Sequence, residues 1–488
     1  MDYPVAMLSR REWLFTVAAV PLASQSGGNP AQEPQFWTLS QAADQIRKKR
    51  ISSEELTRLC LDRIHQHSDR LNAFITITAD SALEHAQSCD RDLKRGVIRG
   101  PLHGVPIALK DNIDTAGILT TAASNLFAKR VPGEDAEMAR RMSQAGAVML
   151  GKLNLDEFAF AGSGTTGSFG PARNPWNVQR ITGGSSAGST AALAAGLCFA
   201  SIGTDDGGSV RIPASHCGVV GFKPSFGRAS TRGIVPSAYS LDCPGPMTRS
   251  VEDAALMLEL MAGYDPQDPI VLDRPVPAYT RALTDSVAKL RVGVPRFYFF
   301  ESLHPDVQSK VEAAINLMSH KVREVREVKL PQFEAVQGGG TDIELYHYHR
   351  SMFDASPEKY QPYSQRLLER AKTISAERYV ETLKRIRELR KDVRRIFDEV
   401  DVLLLPTMRE PAPPIDEVVA QTHRALPSNT SAFNRFGLPA LSLPCGFSDD
   451  GLPIGLQVVG PYFGESVVLT TAFAYQQSTD WHHRHPAA

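Results

Sequence analysis

Two glycine- and serine-rich stretches decide the reading of this chain: Gly183-Gly184-Ser185-Ser186-Ala187-Gly188-Ser189, and Gly203-Thr204-Asp205-Asp206-Gly207-Gly208-Ser209-Val210-Arg211-Ile212-Pro213. Between them, an alanine-rich run predicts a helix over 186–196 that packs against a sheet. The apolar run 197–203 then predicts a buried strand. Helix followed by apolar strand is the unit of a layered α/β fold.

The same alternation continues outward. Amphipathic helices are predicted over 38–50, 53–67 and 81–95, the second capped by Ser53 with Glu54 and Glu55 in its first turn. A short apolar strand over 105–109 delivers Lys110, Asp111 and Asn112 at its end. A helix over 134–145 and a strand over 147–150 follow. Downstream, Ser250-Val251-Glu252-Asp253 caps a helix running to Ala262. The character changes across 264–401, with prolines over 266–277 and charged helices over 378–400, and this segment reads as a cap inserted over the core. Strands return at 402–405, 439–443 and 454–459. Residues 35–488 are therefore expected to form one catalytic domain with a cap at about 264–401.

The 488 residues are 42% hydrophobic and 22% charged, enough apolar material for a large core. With 53 basic and 54 acidic residues the formal net charge is -1, which leaves no electrostatic footprint for nucleic acid or an anionic membrane. Six cysteines, at 60, 89, 198, 217, 243 and 445, are too scattered for a disulfide framework or a zinc site and read as small buried residues. Residues 1–34 read differently. Arg10-Arg11 precede an apolar run, Trp13 to Ala23, too short to span a bilayer, and a Ser-, Gly- and Pro-rich spacer follows. This pattern resembles a twin-arginine export signal and implies a periplasmic or secreted protein without stable membrane insertion, or a cytoplasmic one if the pattern is a chance arginine pair.

Several motif matches lead elsewhere. Gly162-Ser163-Gly164-Thr165-Thr166-Gly167 fits a dinucleotide fingerprint, but Pro171 and Pro175 deny it the helix it must open. Gly146 to Lys152 fits part of a phosphate loop, yet its interior is apolar and Leu153 stands where Ser or Thr is required. His482, His483 and His485, and His347 with His349, lack a carboxylate or cysteine set at metal-ligand spacing, so no metal is expected. Gly184-Ser185-Ser186-Ala187-Gly188 fits a nucleophile elbow and makes Ser186 the alternative nucleophile of an α/β-hydrolase-type esterase. The residues before it read as loop, where an elbow requires a strand.

Taken together with Cys217-Gly218, Gly104 to Asn112, Gly151 to Phe158, Gly221 to Pro224, Gly245 to Arg249 and Gly451 to Gln457, the two opening stretches resemble the amidase signature family from about Leu39 to Gln477. The motifs are closest to the bacterial amidase and glutamyl-tRNA amidotransferase A-subunit branch. That resemblance implies a large mixed, mostly parallel β-sheet flanked by helices on both faces. It also implies a Ser–cis-Ser–Lys triad: Ser209 as nucleophile, Ser185 as bridging serine after a cis peptide, and Lys110 as base. Ser185 and Ser209 lie 209 − 185 = 24 residues apart, the family's spacing. Ala187 and Asp206 depart from the family's usual residues.

These residue types suit amide chemistry. A serine hydroxyl needs a base, and the departing nitrogen needs a proton. A lysine is a base only when neutral, and burial favours that form. Asp111 would oppose it unless strand alternation sends it to the other face. The backbone N–H groups of Asp206, Gly207, Gly208 and Ser209 form the expected oxyanion hole, with the Asp206 carboxylate turned away. Ser186 and Arg211 are expected behind the site or on the substrate, with an ion pair the structural reading of Arg211. The expectation is an amidohydrolase for linear carboxylic amides that takes a small-molecule substrate and needs no cofactor, with a homodimer left open. The alternative from another class is an amidotransferase subunit that feeds ammonia to a partner. The acyl specificity, and whether Tyr346, His347, Tyr348 and His349 line the pocket, stay open.

Overall fold

The computed structural model describes residues 33–333, 339–421, 426 and 428–487. The export-signal pattern lies outside them. The strands are β1 (Phe74–Ile77), β2 (Pro106–Lys110), β3 (Val148–Leu153), β4 (Arg173–Asn174), β5 (Asn177–Ile181), β6 (Ser201–Thr204), β7 (Val220–Lys223), β8 (Pro244–Thr248), β9 (Arg291–Val294), β10 (Glu324–Glu327), β11 (Val402–Pro406), β12 (Ala440–Phe447) and β13 (Pro453–Val459). Eleven of them make one mixed sheet in the order β1-β3-β2-β6-β8-β7-β12-β13-β11-β9-β10, with β4 and β5 paired separately.

Parallel pairing runs in two blocks, β3-β2-β6 and β11-β9-β10. The strands between the blocks, and β1 on β3, pair antiparallel. Short connections explain the middle: the turn 448–452 between β12 and β13 permits only a hairpin, whereas parallel neighbours need a crossover. Strand alternation feeds both faces. Val402 and Leu404 join one apolar cluster with Val311, Val468 and Leu469, while Leu403 and Leu405 join another with Ile386, Leu389 and Phe433. Helices Pro305–Ser319 and Glu465–Gln476 supply the first cluster, and helices Ala376–Asp392 and Ser431–Arg435 the second. The sheet is thus covered on both sides, each fully buried Leu or Val contributing roughly 1.5–3 kcal/mol.

The segment 264–401 is more than a cap. It supplies β9 and β10, which complete one edge of the sheet, and helix Pro305–Ser319, which packs on β11, β12 and β13. Where charged helices are expected over 378–400, the chain forms helix Ala376–Asp392, a 3-10 turn Val393–Arg395 and the short helix Ile396–Glu399. The sequence hid β10 because Glu324–Glu327 is short and charged, as exposed edges tend to be, and β9 because Arg291–Val294 is only four residues long. A smaller correction concerns Ser53. Ser52 caps the helix Ser53–Leu71 in a capping box with Glu55, and Ser53 Oγ instead donates to the Gly104 carbonyl at 2.7 Å.

Candidate active site

β2 and β6 run parallel with Leu109 level with Ile202, so their carboxyl ends emerge side by side. Open α/β sheets place ligands at such ends. β2 ends in Lys110 and β6 in Thr204. The Lys110 amine is fully buried, 2.7 Å from Ser185 Oγ and 2.8 Å from Thr204 Oγ1. Burial pushes the amine down to about 8, against the pull of the Asp206, Asp156, Asp205 and Asp242 carboxylates. Asn112 Nδ2 donates to the same Thr204 oxygen at 3.1 Å.

Ser185 is held from behind. The Gly184–Ser185 peptide is cis. The Ser185 carbonyl accepts from Ala187 N–H at 2.9 Å and Asp156 N–H at 3.3 Å. Gly184 has no room for a side chain: a Cβ there would sit 2.1 Å from Asp156 Oδ2. Asp156 in turn accepts from the N–H groups of Gly164, Thr165 and Thr166 at 2.8–3.0 Å. The stretch that fits a dinucleotide fingerprint therefore wraps a buried carboxylate of its own chain. Ser186 N–H donates to the Ser209 carbonyl at 3.1 Å and ties the two serine loops together. Ser186 Oγ points to the Thr204 carbonyl at 3.4 Å. The strand before Ser186 is β5, outside the main sheet, so the nucleophile-elbow arrangement is absent there.

Ser209 is buried on the loop that follows β6. The N–H groups of Gly207, Gly208 and Ser209 find no acceptor among the described residues, whereas the Asp206 N–H, expected beside them, lies against its own carboxyl. Gly208 has φ +141°, and a Cβ there would stand 2.2 Å from Thr430 Oγ1, so only glycine fits. Thr430 Oγ1 donates to the Gly207 carbonyl at 2.7 Å, fixing which way that peptide faces. The loop is anchored by a buried ion pair: Arg211 donates to both Asp205 carboxylate oxygens at 3.0 and 2.9 Å, and to the Thr430 carbonyl and Gln457 Oε1. Burial alone would raise the Asp205 carboxyl, but the Arg211 charge and hydrogen bonds, with Lys223 and Asn434, hold it at about 2. Arg211 is saturated by protein groups.

Asp206 turns to Ser237, whose Oγ donates to Asp206 Oδ2 at 2.9 Å. Ser237 N–H donates to Asp242 Oδ2 at 3.0 Å, so one serine bridges two carboxyl groups. Desolvation raises both, with repulsion from Asp205 added at Asp206 and from Asp206 at Asp242, and Asp242 is raised the more strongly. Asp242 lines a cavity of about 250 Å³ with Thr231, Ile234, Pro236, Tyr239, Ile270 and Tyr348. Of the four cap aromatics, Tyr348 reaches this cavity, Tyr346 and His349 pack with Phe158, Phe160 and Tyr360, and His347 is exposed.

Asp111 faces away from Lys110. It accepts from Thr121 N–H at 2.9 Å and lies 3.8 Å from the buried amine of Lys152, on β3. Lys152 also donates to the Ile113 carbonyl and to Thr120 Oγ1. The phosphate-loop match at 146–152 thus falls largely on a buried strand. Nothing in the sequence gives Thr204, Asn112 or Thr430 a role at the site. Thr204 and Asn112 stand inside the quoted motifs, but only the pairing of β2 with β6 brings them to the amine, and Thr430 is remote in the chain.

The family model described as Amidase matches residues 55–469. The A subunit of glutamyl-tRNA(Gln) amidotransferase from Moorella thermoacetica is 42% identical, the match covering 92% of this chain and 98% of that protein. Among solved structures, the corresponding A subunit from Thermotoga maritima aligns with TM-score 0.78 and 32% identity over 93% of this chain and 97% of its own. A 6-aminohexanoate cyclic dimer hydrolase complexed with substrate aligns with TM-score 0.83 and 28% identity over 93% and 99%. With its sheet, its serine loops and a family match over most of its length, this chain belongs to the amidase family, whose enzymes act on carbon–nitrogen amide bonds.

Proposed function

We propose that this chain cleaves a carboxylic amide through an acyl-enzyme on Ser209. Ser209 passes its proton to Ser185 as Ser185 passes its own to neutral Lys110, and Ser209 Oγ attacks the carbonyl carbon. The oxyanion meets the free N–H groups of Gly207, Gly208 and Ser209, each such donor supplying about 3–4 kcal/mol of transition-state stabilisation. The proton returns through the serines to the departing nitrogen, and water then releases the acid by the same relay in reverse. The observation that carries this reading is the 2.7 Å contact between the buried Lys110 amine and Ser185 Oγ. With the amine at about 8, roughly a tenth of the molecules hold it neutral at pH 7.

A narrower reading is favoured by the relatives: an ammonia-releasing amidotransferase component, with glutamine as the amide and a second protein chain as partner. Relatives named as the A subunit of an amidotransferase, matched over 98% of their length, support it over a free-standing hydrolase. The twin-arginine pattern supports the free-standing enzyme, since an exported protein is separated from tRNA. The match leaves part of this chain without counterpart, covering 98% of that relative but 92% of this chain.

The test is to incubate the full chain with glutamine and with chemically diverse amides, and to locate the acyl group by mass spectrometry. An adduct on Ser209 that disappears in Ser209→Ala is expected. An adduct on Ser186, or full activity in Lys110→Met, sinks the mechanism. Ammonia from glutamine alone among the amides decides for the amidotransferase reading, and cell fractionation decides the compartment.

A further inference from the structure

We propose that Asn112 is a positioning residue that acts through Thr204 to hold the Lys110 amine against Ser185. The inference rests on Lys110 being the base and goes beyond the triad.

A neutral amine has two N–H donors and one lone pair. To accept a proton from Ser185, the lone pair must face that hydroxyl, so an N–H has to find its acceptor elsewhere. Thr204 Oγ1, at 2.8 Å, is that acceptor. A lysine amine sits on a flexible four-carbon stem and turns freely unless its partners are fixed. A threonine hydroxyl is fixed only if its own oxygen is held. Asn112 Nδ2 holds it, at 3.1 Å. The Asn112 backbone is itself pinned, its carbonyl accepting from Val235 N–H at 2.8 Å. The chain Val235–Asn112–Thr204–Lys110–Ser185 is therefore continuous.

Asn112 is a poor choice on grounds of stability. Its side chain is buried, and Oδ1 has no hydrogen-bond partner among the described residues. An orphaned buried acceptor is destabilising, and an apolar residue of the same shape would avoid the penalty. What an apolar residue lacks is the Nδ2 donor that Thr204 receives. Thr204 cannot be fixed from the Asp111 side, because Asp111 faces Thr121 and Lys152.

Two isosteric substitutions pull the amine in opposite directions. The groups that face Lys110 are the Ser185 and Thr204 hydroxyls, with the Asp206, Asp156, Asp205 and Asp242 carboxylates as charged neighbours. Asn112→Asp adds a carboxylate to this set and stabilises the ammonium. Thr204→Val removes an acceptor from the ammonium and disfavours it.

The experiment follows acylation of Ser209 in the full chain by 4-nitrophenyl acetate, read as the nitrophenolate burst across pH, with thermal melting as a check on folding. In Asn112→Asp, the plateau rate is expected to fall about tenfold with half-saturation within about twofold, and the acidic limb to move up by about one pH unit. In Thr204→Val, the plateau rate falls and the limb moves down, while Thr204→Ser restores most of the rate. Plateau rates within about twofold of the parent in both variants overturn the proposal. A fall in rate with both limbs unmoved also overturns it, because that marks a folding role. Lys110→Met is the control. If it acylates normally, the base assignment fails; if it is inert while the other variants are unaffected, only this inference fails.

Discussion

Lys110 and Lys152 sit at the ends of neighbouring parallel strands, both buried and both pushed down to about 8 by desolvation. Their partners differ. Lys152 faces the Ile113 carbonyl and the Asp111 carboxylate, which only accept hydrogen bonds and favour the ammonium, and the Thr120 hydroxyl. Lys110 faces two hydroxyls, which can accept from an amine or donate to it. Burial therefore does not by itself make a base. A buried lysine can give up its proton at small cost when its partners can reverse their hydrogen bonds; both partners of Lys110 are hydroxyls, whereas the one hydroxyl beside Lys152, Thr120, already donates to the Ile118 carbonyl.

The comparison breaks first at Lys110. Lys110→Met is expected to lower turnover about 10³-fold with little change in melting temperature, measured as product release and by calorimetry. Unchanged turnover would make the two lysines equivalent. Lys152→Met is expected to do the reverse. It strips the counter-charge from buried Asp111 and costs about 3–5 kcal/mol in urea unfolding, while each folded molecule keeps near-parental turnover. The pH profile sharpens the contrast. Because the proposed base is neutral Lys110 and burial lowers its proton affinity, activity is expected to rise with pH through about 8 in the parent and to follow the same limb in Lys152→Met. A limb that moves with Lys152 would assign the base to the wrong strand. The smallest effect belongs to Asp111→Asn, which keeps an acceptor for Thr121 but removes the charge beside Lys152. About 1–3 kcal/mol is lost in unfolding, with the limb unmoved.

Much of the site could be read from the chain alone because its parts are local. Lys110 follows an apolar strand, Gly184 and Gly208 mark loops that admit no side chain, and Ser185, Ser186 and Ser209 lie on those loops. Asn112 and Thr204 were in view without a role, since neither says anything until β2 and β6 are placed in register. Thr430, Asn434 and Gln457, which secure the Ser209 loop, come from the far end of the chain and carry no local signal. In the segment 264–401, β10 is short and charged and β9 is only four residues long, and neither carries enough periodicity to mark a strand. Apolar periodicity needs several residues to show, and the edge strand β10 buries little.

By itself the sequence determined the residue types at the site, the loops that carry them, and an α/β core of alternating helices and strands. These follow from local backbone geometry and apolar spacing, which neighbouring residues set. The tertiary structure alone decided which lysine meets hydroxyls and which meets a carboxylate. Lys110 and Ser185 lie 75 residues apart, and the proton affinity of the amine depends on every group the fold gathers around it. Desolvation and electrostatics act through space, so they exist only once the strands have paired.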